Sequence, residues 1–135
     1  MKKTGLYINL LIVLVLLTAC GQAEEELLTV GDEEYSQSDL KALGITSANY
    51  TNKDGETTTY DGVSLAALLE DANLDIAGST ITFTVADGYE VEMDVSEAFA
   101  CINCIVAFDN SSLHMVMPNM SGKLQVKDLI SIEVE

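Results

Sequence analysis

The segment Cys101-Ile102-Asn103-Cys104 brings two thiols together at a spacing that supports real chemistry. The chain has three cysteines, and the third, Cys20, lies far away at the end of an apolar leader. With Cys20 set apart, Cys101 and Cys104 make an even count, and three chemistries suit them. Outside the cytoplasm the simplest is a structural disulfide. A second is a redox-active pair that exchanges with a partner. A third is metal binding, although one pair without a second falls short of a closed zinc site. The loop between the cysteines is short, so the chain-entropy gain of a bridge is small, and this leaves room for a redox role. Redox pairs usually sit at the start of a helix, where the dipole lowers a thiol pKa. Here a helical turn ending near Ala100 precedes the pair and an apolar strand from Ile105 follows it, so that context is missing.

A second cluster is His114, Met115, Met117 and Met120. Thioethers suit Cu(I), and Met-x-Met spacing fits such a site. The competing reading is a core strand: with a period of two, Leu113, Met115 and Met117 share one face, and methionine fills cores well. His114 is read as a surface or strand residue rather than a general base. No Gly-x-Ser-x-Gly elbow is present, and one histidine gives little from which to build a triad. The 22 carboxylates are too many for any pair to stand out. Neither a Walker loop nor a dinucleotide fingerprint occurs. No catalytic residue and no metal ligand is assigned.

The elements around these residues follow from local pattern. Leu27 to Val30 and Glu34-Tyr35 bracket Gly31-Asp32 as a short hairpin. Ser36 or Ser38 can cap a short helix ending near Leu43, stopped by Gly44. Ile45 to Thr51 and Glu56 to Tyr60 read as strands around an Asp54-Gly55 turn. Asp61-Gly62 reads as a turn where positive φ is cheap. Ser64 stands at an N-cap position, and Leu65, Leu68, Leu69 and Ala72 follow at helical spacing. Ile81 to Val85 and Tyr89 to Asp94 form a hairpin across Asp87-Gly88. In its second strand Tyr89, Val91, Met93 and Val95 alternate with Glu90, Glu92 and Asp94, which predicts one buried and one wet face. Ser96 is placed to cap a helical turn through Ala100. Ile105 to Phe108 pairs with Leu113 to Met117, and Leu129 to Val134 is the last strand. The class is α+β: a strand-rich single domain with a mainly antiparallel or mixed sheet and two or three short helices.

The chain begins Met1-Lys2-Lys3, followed by an apolar run from Leu6 to Leu17 that is shorter than the ~20 residues needed to span a bilayer. This reads as a secretory signal peptide. It ends in Leu17-Thr18-Ala19-Cys20, which resembles the bacterial lipobox, whose cysteine carries diacylglycerol. The expected division is a lipoprotein signal peptide over 1–19, a lipidated tether over 20–26 and a domain over 27–135. Two or three acyl chains would hold the chain on the extracytoplasmic face of a membrane.

Without residues 1–19 the chain keeps four lysines, no arginine and all 22 carboxylates. A nucleic-acid partner is excluded on charge. Anionic headgroups would not attract this surface either, so the lipid must do the anchoring. The acidity keeps a surface protein soluble, and it favours cations or basic partners.

Three ordered motifs resemble the oxidoreductase molybdopterin-binding domain, the fold of sulfite oxidases. They are Tyr60-Asp61-Gly62-Val63-Ser64-Leu65-Ala66-Ala67-Leu68-Leu69, then Asp87-Gly88-Tyr89, then Val126-Lys127-Asp128-Leu129-Ile130-Ser131-Ile132-Glu133-Val134. The resemblance implies that fold over roughly residues 27 to 135. It also implies a cysteine thiolate on molybdenum upstream of the Gly62-Val63-Ser64-Leu65 segment, and arginine or histidine on the cofactor phosphate. This chain departs on both counts: residues 44–59 hold no cysteine, and Lys41, Lys53, Lys123, Lys127 and His114 are the only candidate cationic partners. The resulting expectation is a membrane-anchored binding or accessory module with no cofactor, whose partner is an unknown small ligand or an envelope redox partner. The alternatives are a thiol–disulfide redox protein using Cys101 and Cys104, and a molybdopterin oxidoreductase with atypical ligands.

Overall fold

The computed structural model describes residues 26–74, 77–78 and 80–135. The leader, the lipobox, Cys20 and nearly all of the tether lie outside the described residues. Among the described residues nine strands form two sheets. The first, in order β2-β1-β9-β5-β6, contains β1 (Glu26–Val30), β2 (Glu33–Ser36), β5 (Thr80–Val85), β6 (Glu90–Asp94) and β9 (Leu129–Val134). It is antiparallel except where β1 meets β9 in parallel. The second, in order β3-β4-β7-β8, is antiparallel throughout and contains β3 (Thr46–Thr51), β4 (Thr57–Ser64), β7 (Ile105–Asp109) and β8 (Ser112–Val116). Three short helices, α1 (Gln37–Ala42), α2 (Leu65–Asp71) and α3 (Val95–Ala100), and a 3₁₀ turn at Gly122–Leu124 complete the described elements.

The caps are those that side-chain chemistry favours. Ser36, not Ser38, starts α1: the Asp39 N–H donates to Ser36 Oγ at 3.2 Å, and the Ser36 N–H donates to Asp39 Oδ2 at 2.9 Å. Those bonds to the Ser36 backbone and hydroxyl hold the Asp39 carboxyl below its usual pKa. Ser64 starts α2 by accepting the Ala67 N–H at 3.3 Å. The other end of α2 is tied to the first sheet, because the Tyr35 hydroxyl donates to Asp71 Oδ2 at 2.8 Å.

One large core gathers Leu28, Val30, Phe83 and Ile132 from the first sheet, Val63, Val106 and Met115 from the second, and Leu40, Leu68 and Ala98 from the three helices. On the opposite face of the second sheet lies a smaller cluster of Ala48, Ile105, Ala107 and Val116, against which Tyr50 and Tyr60 pack. The second sheet is therefore buried on both faces along β7 and β8.

Four sequence expectations are corrected. Asp61-Gly62 is not a turn: β4 continues straight through it to Ser64, and Gly62 is not among the positive-φ glycines. Glycine is required there for another reason. A Cβ on Gly62 would collide with the Val106 carbonyl oxygen and come within 2.6 Å of the Ala107 Cα, so β7 can approach only a bare backbone. Tyr89 is 55% exposed because it belongs to the Asp87-Gly88 turn and precedes β6, whereas Val91, Met93 and Val95 are buried as the alternation requires. Ser96 lies inside α3, whose N-cap is Asp94 without a side-chain bond. Glu26, counted with the tether, is the first residue of β1 and pairs with Ser36.

Gly62→Ala should destabilise the fold by about 1–3 kcal/mol through overpacking against backbone that cannot turn aside. Urea denaturation would measure this, and a shift under about 0.5 kcal/mol would show that β4 and β7 separate easily.

Candidate binding site at the disulfide loop

Cys101 and Cys104 are joined in a disulfide, with Cα atoms 5.4 Å apart. Local structure sets the pair up. Cys101 is the C-cap of α3, and Cys104 enters β7, where its carbonyl accepts the Leu65 N–H at 2.9 Å. The bridge thus clamps the end of α3 to the start of α2 and of β7. Cys104 is fully buried and Cys101 half-buried. A helix C-terminus carries negative partial charge, so a thiolate on Cys101 would be disfavoured. Ile102 stands at the tip of the loop, 89% exposed.

Two clefts flank this loop. The first, of about 470 Å³, runs along β3 and is lined by Ser47, Asn49, Tyr50 and Thr51 on one side and by Asn103 and Asn119 on the other. Its groups are mostly neutral amides and hydroxyls, which both donate and accept. The second, of about 500 Å³, is more apolar, with Ala100, Cys101, Leu124 and Ser121 around it and Glu97 at its border. Met120 lines both clefts. Sequence reasoning singled out Cys101, Cys104 and Met120 but missed β3. Its run of small polar residues reads as an ordinary exposed strand until the fold shows what faces it.

The histidine–methionine cluster does not converge. Met115 and Met117 are fully buried in the main core, as the period of two expects. His114 faces the other way, toward the smaller cluster, since it pairs directly with Ala107. It is a strand residue but not a surface one, being 7% exposed. The Tyr60 ring meets it edge-on with centroids 5.2 Å apart. His114 Nδ1 has no hydrogen-bond partner among the described residues. Burial, and then the Lys127 ammonium, push the His114 pKa below its ordinary value, while Asp109 and Asp128 oppose the shift. Among the described residues, no group of three or more His, Cys, Asp or Glu side chains is placed to hold a metal ion. The four lysines lie apart: Lys41 on α1 over the Phe108 ring, Lys53 in the β3–β4 turn, Lys123 in the 3₁₀ turn and Lys127 beside His114.

No family model matches this chain, and no curated protein matches it. Among solved structures it is similar to the sulfane dehydrogenase SoxCD from Paracoccus pantotrophus, with a TM-score of 0.65 and 16% sequence identity. The match covers 81% of this chain and 37% of that one, so the chain spans well under half the length of its structural neighbour. At this identity the likeness concerns the fold alone. The fold is the strand-rich, sulfite oxidase-like one that the three motifs imply.

A neutral His114 is what the folded protein favours. Its contribution to stability is present above the unfolded-state value of 6.5 and is lost as pH falls through the depressed folded value. Melting temperature should therefore fall more steeply between about pH 7 and pH 5 in the native chain than in a His114→Phe variant, which keeps a ring against Tyr60. Parallel curves for the two proteins would show that His114 titrates as freely folded as unfolded.

Proposed function

We propose that this protein is a lipid-anchored, extracytoplasmic binding module built on a sulfite oxidase-like scaffold, and that it works without molybdenum. The observation that carries the reading is the fate of its thiols: both cysteines of the domain are spent on one disulfide. Further support comes from the stretch where the family resemblance expects a metal-binding cysteine. Residues 44–59 instead form β3 and the start of β4, and the β3 part lines the first cleft with hydroxyls and an amide. The residues present do not fit a molybdopterin: no free thiolate is available in the described domain, arginine is absent, and the lysines sit on four separate elements. A cleft of neutral donors and acceptors offers no counter-charge to the phosphate of such a cofactor.

A second reading has its own observation. Cys101 is half-buried and borders the apolar second cleft while Cys104 is fully buried, an asymmetry that suits attack by a partner thiol on Cys101 Sγ. The position at a helix C-terminus argues for the staple instead.

Three measurements test these readings. Protein purified from its native host should contain no molybdenum by elemental analysis, and a stoichiometric amount would overturn the module. The Cys101–Cys104 pair should have a reduction potential below about −300 mV, whereas a value near about −200 mV would make thiol exchange the function. Cells fed labelled palmitate should label the chain, and Cys20→Ala should remove the label. An unlabelled native chain would overturn the lipid anchor.

A further inference from the structure

The two edges of the second sheet are treated differently. On the β8 edge the backbone is closed off. The Met115 N–H donates to the Val126 carbonyl at 2.8 Å, the Met117 N–H donates to Gln125 Oε1 at 2.7 Å, and Gln125 Nε2 donates back to the Met117 carbonyl at 2.6 Å. The β3 edge has no such cover among the described residues.

The register says which groups of β3 are free. At the turn, the Asn52 N–H donates to the Glu56 carbonyl at 2.9 Å. In an antiparallel ladder bonded and non-bonded pairs alternate, so Tyr50/Thr58, Ala48/Tyr60 and Thr46/Gly62 are the bonded pairs. Ser47/Asp61, Asn49/Thr59 and Thr51/Thr57 are the non-bonded ones. The side chains agree, because they bridge at the non-bonded pairs, where Cβ atoms come closest. Ser47 Oγ donates to Asp61, Thr59 Oγ1 donates to Asn49 Oδ1 at 2.7 Å, and the hydroxyls of Thr51 and Thr57 lie 2.8 Å apart. The backbone N–H and C=O of Ser47, Asn49 and Thr51 therefore point away from β4. These three residues also line the first cleft.

Exposed edges are usually guarded by a charge, a proline or a bulge. Residues 46–52 contain neither a charge nor a proline, and the β3–β4 register is regular throughout. The amides of Asn103 and Asn119 line the same cleft, and Ile102 next to Asn103 offers an exposed apolar contact. Charge selects among possible occupants. The chain has 22 carboxylates against six lysines, and at the hairpin Asp54, Glu56 and Asp61 outnumber Lys53. That field repels a second copy and attracts a cationic segment.

We propose that the free edge of β3 docks an extended, basic polypeptide segment of a partner protein, which adds as a fifth strand to the second sheet beside the disulfide loop. This inference rests on the binding-module reading and names its ligand class. Ser47, Asn49 and Thr51 supply the main-chain bonds, and the acidic hairpin supplies the preference for cationic side chains.

The test uses the full chain in detergent micelles and, as a probe, a capped heptapeptide of alternating threonine and valine flanked by lysines. Hydrogen exchange read residue by residue should slow at the amides of Ser47, Asn49 and Thr51. It should stay unchanged at Ala48 and Tyr50, which already bond to β4. Asn49→Pro removes an outward backbone donor and keeps the main-chain bonds to β4, losing only the side-chain bond from Thr59, and should weaken binding about tenfold. The same peptide N-methylated on alternate residues should not bind, a control that leaves the protein unaltered. Replacing the flanking lysines by glutamate should abolish binding at low salt. Unchanged exchange at Ser47, Asn49 and Thr51 under millimolar peptide would overturn the proposal. So would protection that rises with protein concentration alone, which would assign the edge to a second copy. Either failure, with molybdenum absent and a low disulfide potential, removes strand addition and leaves the binding module standing.

Discussion

β4 and β7 meet at Gly62 more closely than any side chain would allow. The position directly opposite is Ala107, and beyond it on β8 is His114. Two small residues in succession leave a shallow trough across the middle of the second sheet. Tyr60, on the same face of β4, fills it by reaching over β7 to meet His114 edge-on. Ala48, Ala107, Ile105 and Val116 form the smaller cluster on this face, and Tyr50 and Tyr60 pack against it. Aromatic rings remove much apolar area from water at small cost in conformational entropy, so two tyrosines suffice.

The same approach fixes the geometry of the cleft. Val63 and Ser64 pair with Val106 and Ile105, so the position of β7 sets where the Cys101–Cys104 loop stands against the β3–β4 hairpin. The Leu65 N–H bonded to the Cys104 carbonyl fastens the start of α2 to that loop. A short-loop disulfide adds little by restricting the unfolded chain. Its effect is local: it closes the loop in which Asn103 lines the first cleft and Ile102 stands exposed.

Much of this was legible in the sequence because it is decided locally. Ser64 as a cap, Asp87-Gly88 as the hairpin turn and the alternation from Val91 to Val95 each follow from the chemistry of a few neighbouring residues. Gly62 was misread because two different needs call for glycine. After an aspartate it looks like a positive-φ turn, yet the need here is for close approach, set by a strand far along the chain. His114 read as a surface or a strand residue, and only the fold decides for a buried strand position: burial on both faces of a sheet depends on what packs outside it, and the Tyr60 ring is not a sequence neighbour. The parallel pairing of β1 with β9 is likewise invisible to local pattern. The fold-level resemblance reached further than the local reading because ordered motifs carry long-range information that periodicity lacks.

The site was the least legible part, and the reason is physical. Catalytic sites announce themselves by unusual residue types, and among the described residues those types do not converge: the two thiols are bonded to each other, the histidine is packed against a tyrosine and the lysines are scattered. What remains is a shape and a row of backbone groups. Backbone donors and acceptors are identical at every residue, so only the register, counted strand by strand, shows that those of Ser47, Asn49 and Thr51 are unspent. A row of such groups leaves no motif in the sequence.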